Sequence, residues 1–409
     1  MRSRFQRLLC LAAALFLLAA SPPEPDLVLG MSAPFTGPAQ GLGIELYRGA
    51  AAYFAEVNRY GGVSGTPLVL KAYDDAYDPA RTVSNTINLI ERDRAFLLFG
   101  YVGAPTIIRV LPLLLAQENR TYELFFPFTG APTVRRQPYE DVVFNLRASY
   151  RDETAGLVAN LLAVGRRKIG IFYQSDAYGR SGWDGVRRAL ADNGLRMVGE
   201  ATYRRGNTFE QSLQQQVAIL QKAGADAIVS IATYTASAAF IRDARDTGWR
   251  VPIANVSFDG SEHLAALLVE ESRRTGRDYT VDLINSQVVP SFEDTSLPAV
   301  REYRALMAKH DPRPPSFAAA DYRPLAHSHV GFEGFLDAKL LVEILERLDG
   351  ILIRERLREA AESVRDFDLG IGVPVSFGPR RHGAISRVYY TTMRDGHNVP
   401  ITSWDQWKQ

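Results

Sequence analysis

Short apolar runs alternate with amphipathic stretches along most of this chain, and that alternation restricts the fold more than any other feature. "DLVLGMSA", "PLVLKAYD", "AFLLFGYV" and "ELFFPF" read as strands, while "IELYRGAAAYFAEVNRY" and "DPARTVSNTINLIERD" have helical spacing. In the second of these helices Asp78 is placed to cap and Pro79 to take the first position. A new series begins near residue 150, with strands at "KIGIFYQ", "RMVGEATY", "AIVSIA" and "PIANVS" and helices between them. Strands that alternate with helices predict parallel α/β sheets, and two such series predict two doubly wound lobes. Residues 284–386 read as mainly helical, with a loop at Gly370–Pro374, and the chain returns to strand in "AISRVYYTTMRDG".

A length of 409 residues suits two lobes better than one core. The net charge of +1 and the absence of a Lys/Arg-rich run argue against a nucleic-acid partner.

The first residues have a different character. Arg2, Arg4 and Arg7 precede the apolar run "LLCLAAALFLLAA", which at 13 residues is short for a membrane span. Ala19, Ala20 and Ser21 offer a cleavage zone, so residues 1–21 read as an export signal peptide. The only cysteine, Cys10, lies within it, so the mature chain is expected to have neither disulfide nor thiolate nucleophile. It is expected to be a soluble periplasmic monomer without cofactor or metal.

The tetrapeptide Gly-Ala-Pro-Thr occurs twice, at Gly103–Thr106 and at Gly130–Thr133, each time after an apolar run. In open α/β sheets ligands bind beyond the carboxyl ends of the strands, where both copies fall. Glycine lets the backbone approach a ligand, and proline suits a first helical turn.

The stretch "GAAAYFAEVNRYGGVSGTPLVLKAYDDAYDP" resembles the type I solute-binding proteins of ABC transporters, in the branched-chain amino acid-binding group, through Asn58, Gly61, Gly62, Gly65, Asp75 and Pro79. "FYQSDAYGRSGWDGVRRAL" and "GFEGFLDAKLLVEIL" extend the similarity over nearly the whole mature chain. The resemblance implies a bilobed α/β receptor with a three-strand hinge. Its first lobe would take residues 26–147 and 284–386, its second 148–283 and 387–409. It implies a non-enzymatic protein that closes on a small ligand and serves an inner-membrane transporter, or alternatively a sensor subunit for a membrane receptor.

By the same resemblance the ligand loops hold Phe35, Leu42, Tyr101, Gly103, Ala104, Pro105, Phe128, Thr129, Gly130, Tyr150, Tyr178, Tyr234 and Asp259. Amino acid binders of the family hold the ligand carboxylate with hydroxyl groups after the third and fourth strands. Here Ala104 and Gly130 stand where hydroxyl residues are expected, and Leu42 where a tyrosine is frequent. A buried charge short of partners costs about 3–5 kcal/mol. Phe126 and Phe258, near these loops in sequence, add to an aromatic lining, so the expectation is a hydrophobic ligand, an aromatic acid or a lipid such as a sterol or hopanoid. A branched-chain amino acid is the alternative.

Other groupings carry less. His327, His329 and Glu333 have zinc-like spacing but read as a polar helix start. Asp74, Asp75 and Asp78 read as a strand end and a helix cap. "GRSGW" lacks the spacing of a nucleophile elbow. Arg135 and Arg136 read as a solvated helix face.

Overall fold

A computed structural model describes residues 26–116 and 122–409. The expected signal peptide and Cys10 lie outside the described residues. A five-stranded sheet has the order β2-β1-β3-β4-β5, with β1 Leu27–Ala33, β2 Leu68–Asp74, β3 Leu97–Phe99, β4 Leu124–Phe125 and β5 Val143–Phe144. All of its pairings are parallel, and Leu27 to Ala33 lie opposite Leu68 to Asp74.

A seven-stranded sheet has the order β14-β13-β10-β9-β8-β6-β7. Its parallel strands are β6 Ile169–Gln174, β7 Gly199–Tyr203, β8 Ala227–Ile231, β9 Ile253–Asn255 and β10 Leu283–Gln287. The late strands β13 Tyr389–Arg394 and β14 His397–Pro400 close one edge antiparallel. The fold class is thus the bilobed α/β arrangement read from the two strand series. A small antiparallel pair, β11 Phe367–Asp368 and β12 Pro374–Val375, flanks the Gly370–Val373 loop.

The chain passes between the sheets at Asn145–Ser149, after β10, and between β12 and β13. Two of these crossings run side by side: the Asn145 amide donates to the His382 carbonyl at 2.7 Å, and Ile385 to Leu146 at 3.1 Å. Ile284–Gln287, expected in the first lobe, pair with β9 and β13 in the seven-stranded sheet, so this crossing falls after Gln287.

Local chemistry sets the element ends. Asp78 caps the helix α2 Pro79–Ile87, its Oδ1 accepting from the amides of Ala80 and Arg81 at 2.7 and 3.2 Å. The run "ELFFPF" yields only the short β4, because Phe126 turns to φ +52° and Pro127 has no N–H to give a ladder. The helices α1 Gln40–Arg59 and α10 His329–Glu346 cross in close contact over the first sheet. A Cβ on Gly49 would lie 1.8 Å from the Gly331 carbonyl oxygen, so only glycine allows that approach.

One apolar cluster runs without interruption from Met31, Leu42 and Phe128 beside the first sheet to Ile171, Tyr178 and Phe258 of the second. The two halves are therefore packed together in a closed form.

Candidate functional site

The two Gly-Ala-Pro-Thr turns lie next to each other. The Gly103 amide donates to the Phe128 carbonyl at 3.1 Å, and the Phe128 amide to Tyr101 at 2.7 Å. Gly103 has φ +95°, and a Cβ there would lie 2.1 Å from the Tyr77 ring. A Cβ on Gly130 would lie 2.5 Å from the Tyr150 amide nitrogen. Both glycines are thus required by close packing at the cleft. Ala104 opens the helix α3 Ala104–Ala116 with Pro105 second, both buried. The second copy opens only a single 3-10 turn, Pro132–Arg135.

The hydroxyls of Thr106 in the first turn and of Thr129, just before the second, face inward. Thr106 donates to the carbonyl of Gly103 at 2.7 Å, and Thr129 accepts from the Ala131 amide at 3.2 Å.

Across from the turns, the 3-10 turn Ser257–Asp259 follows β9. Phe258 lies at the centre of an aromatic cluster. Its ring centroid is 4.5 Å from Tyr178, 5.4 Å from Phe128, 6.0 Å from Tyr77 and 6.5 Å from Tyr150. Tyr150 begins the helix α4 Tyr150–Ala163, and Tyr178 lies in the first turn of α5 Ala177–Ala191, where its hydroxyl donates to the Ala232 carbonyl at 3.0 Å.

Asp259, next in the chain, is 1% exposed, and no hydrogen bond reaches either carboxyl oxygen. Burial raises its pKa to about 8, opposed by the hydroxyl of Ser237, which also meets the Ser230 hydroxyl at 3.1 Å. A buried carboxyl short of partners is costly, and a cationic group beside it offsets that cost.

Arg147, on the first crossing, forms the floor. Its guanidinium carbon lies 4.3 Å above the Phe128 ring, and Nη1 is 3.5 Å from Glu333. Another nitrogen donates to the Ser257 hydroxyl. Glu153 accepts from the Ser257 amide at 2.7 Å and the Ser286 hydroxyl at 2.6 Å. Burial raises the pKa values of Glu333 and Asp337 beside it. Against its own burial, the charges of Glu333 and Glu153 keep Arg147 protonated.

A second set of contacts crosses the cleft near the start of α1. The Tyr234 hydroxyl accepts from the Gly41 amide at 3.2 Å, and its ring stacks on His263 at 4.9 Å. His263 Nε2 meets the Tyr322 hydroxyl at 2.8 Å, which donates to Glu45 at 2.8 Å. Leu42 packs against Gly260, where a Cβ would lie 2.8 Å from its Cδ2. Tyr322 belongs to the irregular segment 311–328, which Arg48 holds by donating to the Pro312 carbonyl at 2.8 Å and Leu325 at 2.7 Å.

Some residues singled out in the sequence lie elsewhere. Tyr101 packs among Leu98, Ile107 and Leu111 and bonds the Thr86 hydroxyl at 3.0 Å. Phe35 meets Tyr47 and Phe317 edge-on, at the side near segment 311–328. Phe126 lies in the core of the first sheet against Phe99, Phe125 and Phe377. Arg135 is not on a solvated helix face: it is partly buried and donates to the Arg147 carbonyl at 2.9 Å, and burial lowers its pKa to about 10. His329 and Glu333 are likewise buried in pairs, His329 Nδ1 with Glu262 at 2.8 Å.

Tyr77, Arg147, His263 and Tyr322 were not legible as site residues. Tyr77 had a trace in "YDDAYD": Ala76 and Tyr77 take φ of +47° and +62°, a left-handed pair held by the Asp75 carboxyl, which accepts from the Tyr77 amide at 2.8 Å.

A family model described as periplasmic binding protein matches residues 27–398. The chain belongs to that family. A Leu/Ile/Val-binding protein homolog 7 of Brucella melitensis is 27% identical over 362 residues, covering 84% of this chain and 83% of the relative. The crystal structure of a possible leucine/isoleucine/valine-binding protein from Rhodopirellula baltica is 31% identical, with a TM-score of 0.83, over 96% of this chain and 100% of the other. A substrate-binding periplasmic protein from Ralstonia solanacearum is 27% identical, with a TM-score of 0.78, over 90% and 97%. In this periplasmic binding protein no helix among the described residues is long and apolar enough to cross a membrane.

Proposed function

We infer that this binding protein closes on a compact organic ligand with an apolar body and a cationic end at Asp259, the chemistry of an apolar amino acid. It then hands that ligand to an inner-membrane ABC transporter and performs no reaction on it. The observation that carries the reading is the buried Asp259 carboxyl beside the aromatic cluster, with Ser237 the one hydroxyl that acts on it. An ammonium group supplies charge and donors together, and the faces of Tyr77, Phe128 and Phe258 favour a cation. The names of the Brucella and Rhodopirellula relatives are consistent with this class.

Among the hydrophobic ligands expected from the sequence, we favour a compact apolar body over a sterol or hopanoid. The rings around Phe258 already touch at 4.5 to 6.5 Å, so a sterol would have to separate most of them. A compact apolar acid is the second reading. It is favoured by the missing hydroxyls at Ala104 and Gly130 and by an Asp259 that is protonated near neutrality and able to donate to an anion.

Titration calorimetry with leucine, phenylalanine, phenylacetate and octanoate tests the choice. Binding of an amino acid, with at least tenfold loss in Asp259→Asn, supports the ammonium reading. Binding of the acids alone, retained in that variant, overturns it.

A further inference from the structure

At the outer edge of the cleft a cavity of about 390 Å³ lies between the two halves. Thr133 and Arg136 line it from the second Gly-Ala-Pro-Thr turn, Arg151 from α4, and Arg180, Asp184 and Arg188 from α5. Four of these residues are arginines, and one is acidic.

That acid is already engaged. Asp184 accepts from Arg188 at 2.8 Å and from Arg187 and Arg151 at 2.9 Å each. Its burial acts to raise its pKa, but these three guanidinium groups outweigh it and hold the carboxyl well below the usual range, so it stays ionised. Arg136 uses only Nε, on the Pro132 carbonyl at 3.3 Å. The Arg180 side chain has no hydrogen bond or ion pair with any described residue. Closure therefore brings Arg136 of one half toward Arg151, Arg180 and Arg188 of the other with one carboxylate among them.

Like charges gathered in this way oppose closure, and a bound anion reverses the sign. Guanidinium groups pair with planar or tetrahedral oxyanions through parallel hydrogen bonds. Thr133 adds a hydroxyl at the same wall, while the Ser181 hydroxyl donates to the Ala177 carbonyl at 2.7 Å.

We propose that this cavity is an oxyanion site, taking a carboxylate or phosphate group between the two halves and holding them closed. Pro132 and Ala177 also line it, and their neighbours Ala131 and Tyr178 belong to the buried cluster across the cleft. The occupant is thus either a free ion or the acidic end of an organic ligand reaching outward. The site stands whatever fills the aromatic cluster.

The test uses the exported chain and its R136Q/R180Q variant, both substitutions at exposed positions. Each is titrated with inorganic phosphate and with octanedioate at constant ionic strength, with sodium chloride as control. Circular dichroism checks that the variant folds. Saturable phosphate binding that weakens at least tenfold in the variant assigns a free oxyanion. Octanedioate binding that weakens likewise while phosphate does not bind assigns the acidic end of a longer ligand. Equal responses of both proteins to both probes, or responses matched by chloride, overturn the proposal. Absence of leucine binding would count against the amino acid reading alone and leave these arms readable.

Discussion

The Gly41 amide donates to the Tyr234 hydroxyl at 3.2 Å, directly from one half of the binding protein to the other. Beside this bond, a Cβ on Gly41 would lie 2.4 Å from His263 Nε2. Gly41→Ala is expected to hold the cleft open while leaving each half folded. Ligand affinity falls at least tenfold, the melting temperature of the free protein changes little, and the radius of gyration from X-ray scattering stays large when ligand is added.

The Asp259 carboxyl gives a sign to the pH dependence. Its folded pKa, near 8, stands above that of an unfolded aspartate, so between about pH 4 and 8 the folded form holds a proton that the unfolded form has lost. Stability from this group is therefore present at low pH and lost as pH rises through that window. Asp75, raised by burial to about 7, adds to the same slope. Asp259→Asn cannot ionise, so it is expected to stabilise the free protein more at pH 8 than at pH 5. Chemical denaturation at pH 5 and pH 8 would show a smaller difference in the variant than in the parent.

Gly49→Ala tests the crossing of α1 and α10. The added methyl meets a backbone oxygen, which cannot rotate away. A loss of about 1–3 kcal/mol is expected, as for other overpacked contacts, read as a lower urea midpoint. Ligand affinity should follow only through stability.

Arg147 stands between Glu333 and Glu153, with Asp337 close by. Arg147→Ala leaves these carboxyls without their cation and is expected to cost about 3–5 kcal/mol. Arg147→Met with Glu333→Gln, which removes both charges, should recover a large part of that loss in thermal melts.

Much of the fold is legible in the sequence because apolar alternation and capping chemistry act locally. Asp78 and Pro79 mark a helix start in two letters, and the structure places one there. The site is less so. Gly103 and Gly130 were readable as turn glycines, yet what they make room for, Tyr77 and Tyr150, lies 26 positions before one and 20 after the other. Tyr101 and Phe126 follow strands as cleft residues do, but the left-handed turns at Gly100 and Phe126 break the alternation there, and both side chains pack in the layers of their own sheet. Burial of Asp259 involves Tyr178, Tyr203 and Ser237, which lie far from it in the chain, and no local pattern records that.

The measurement that bears most directly on the ligand is calorimetry of leucine binding at pH 7 in two buffers of different ionisation enthalpy. An ammonium meeting a protonated Asp259 must displace its proton, so release of about one proton per ligand is expected, and none in Asp259→Asn. Leucine binding with no proton released, or proton release unchanged in the variant, would contradict the placement of the ligand's cationic end at Asp259.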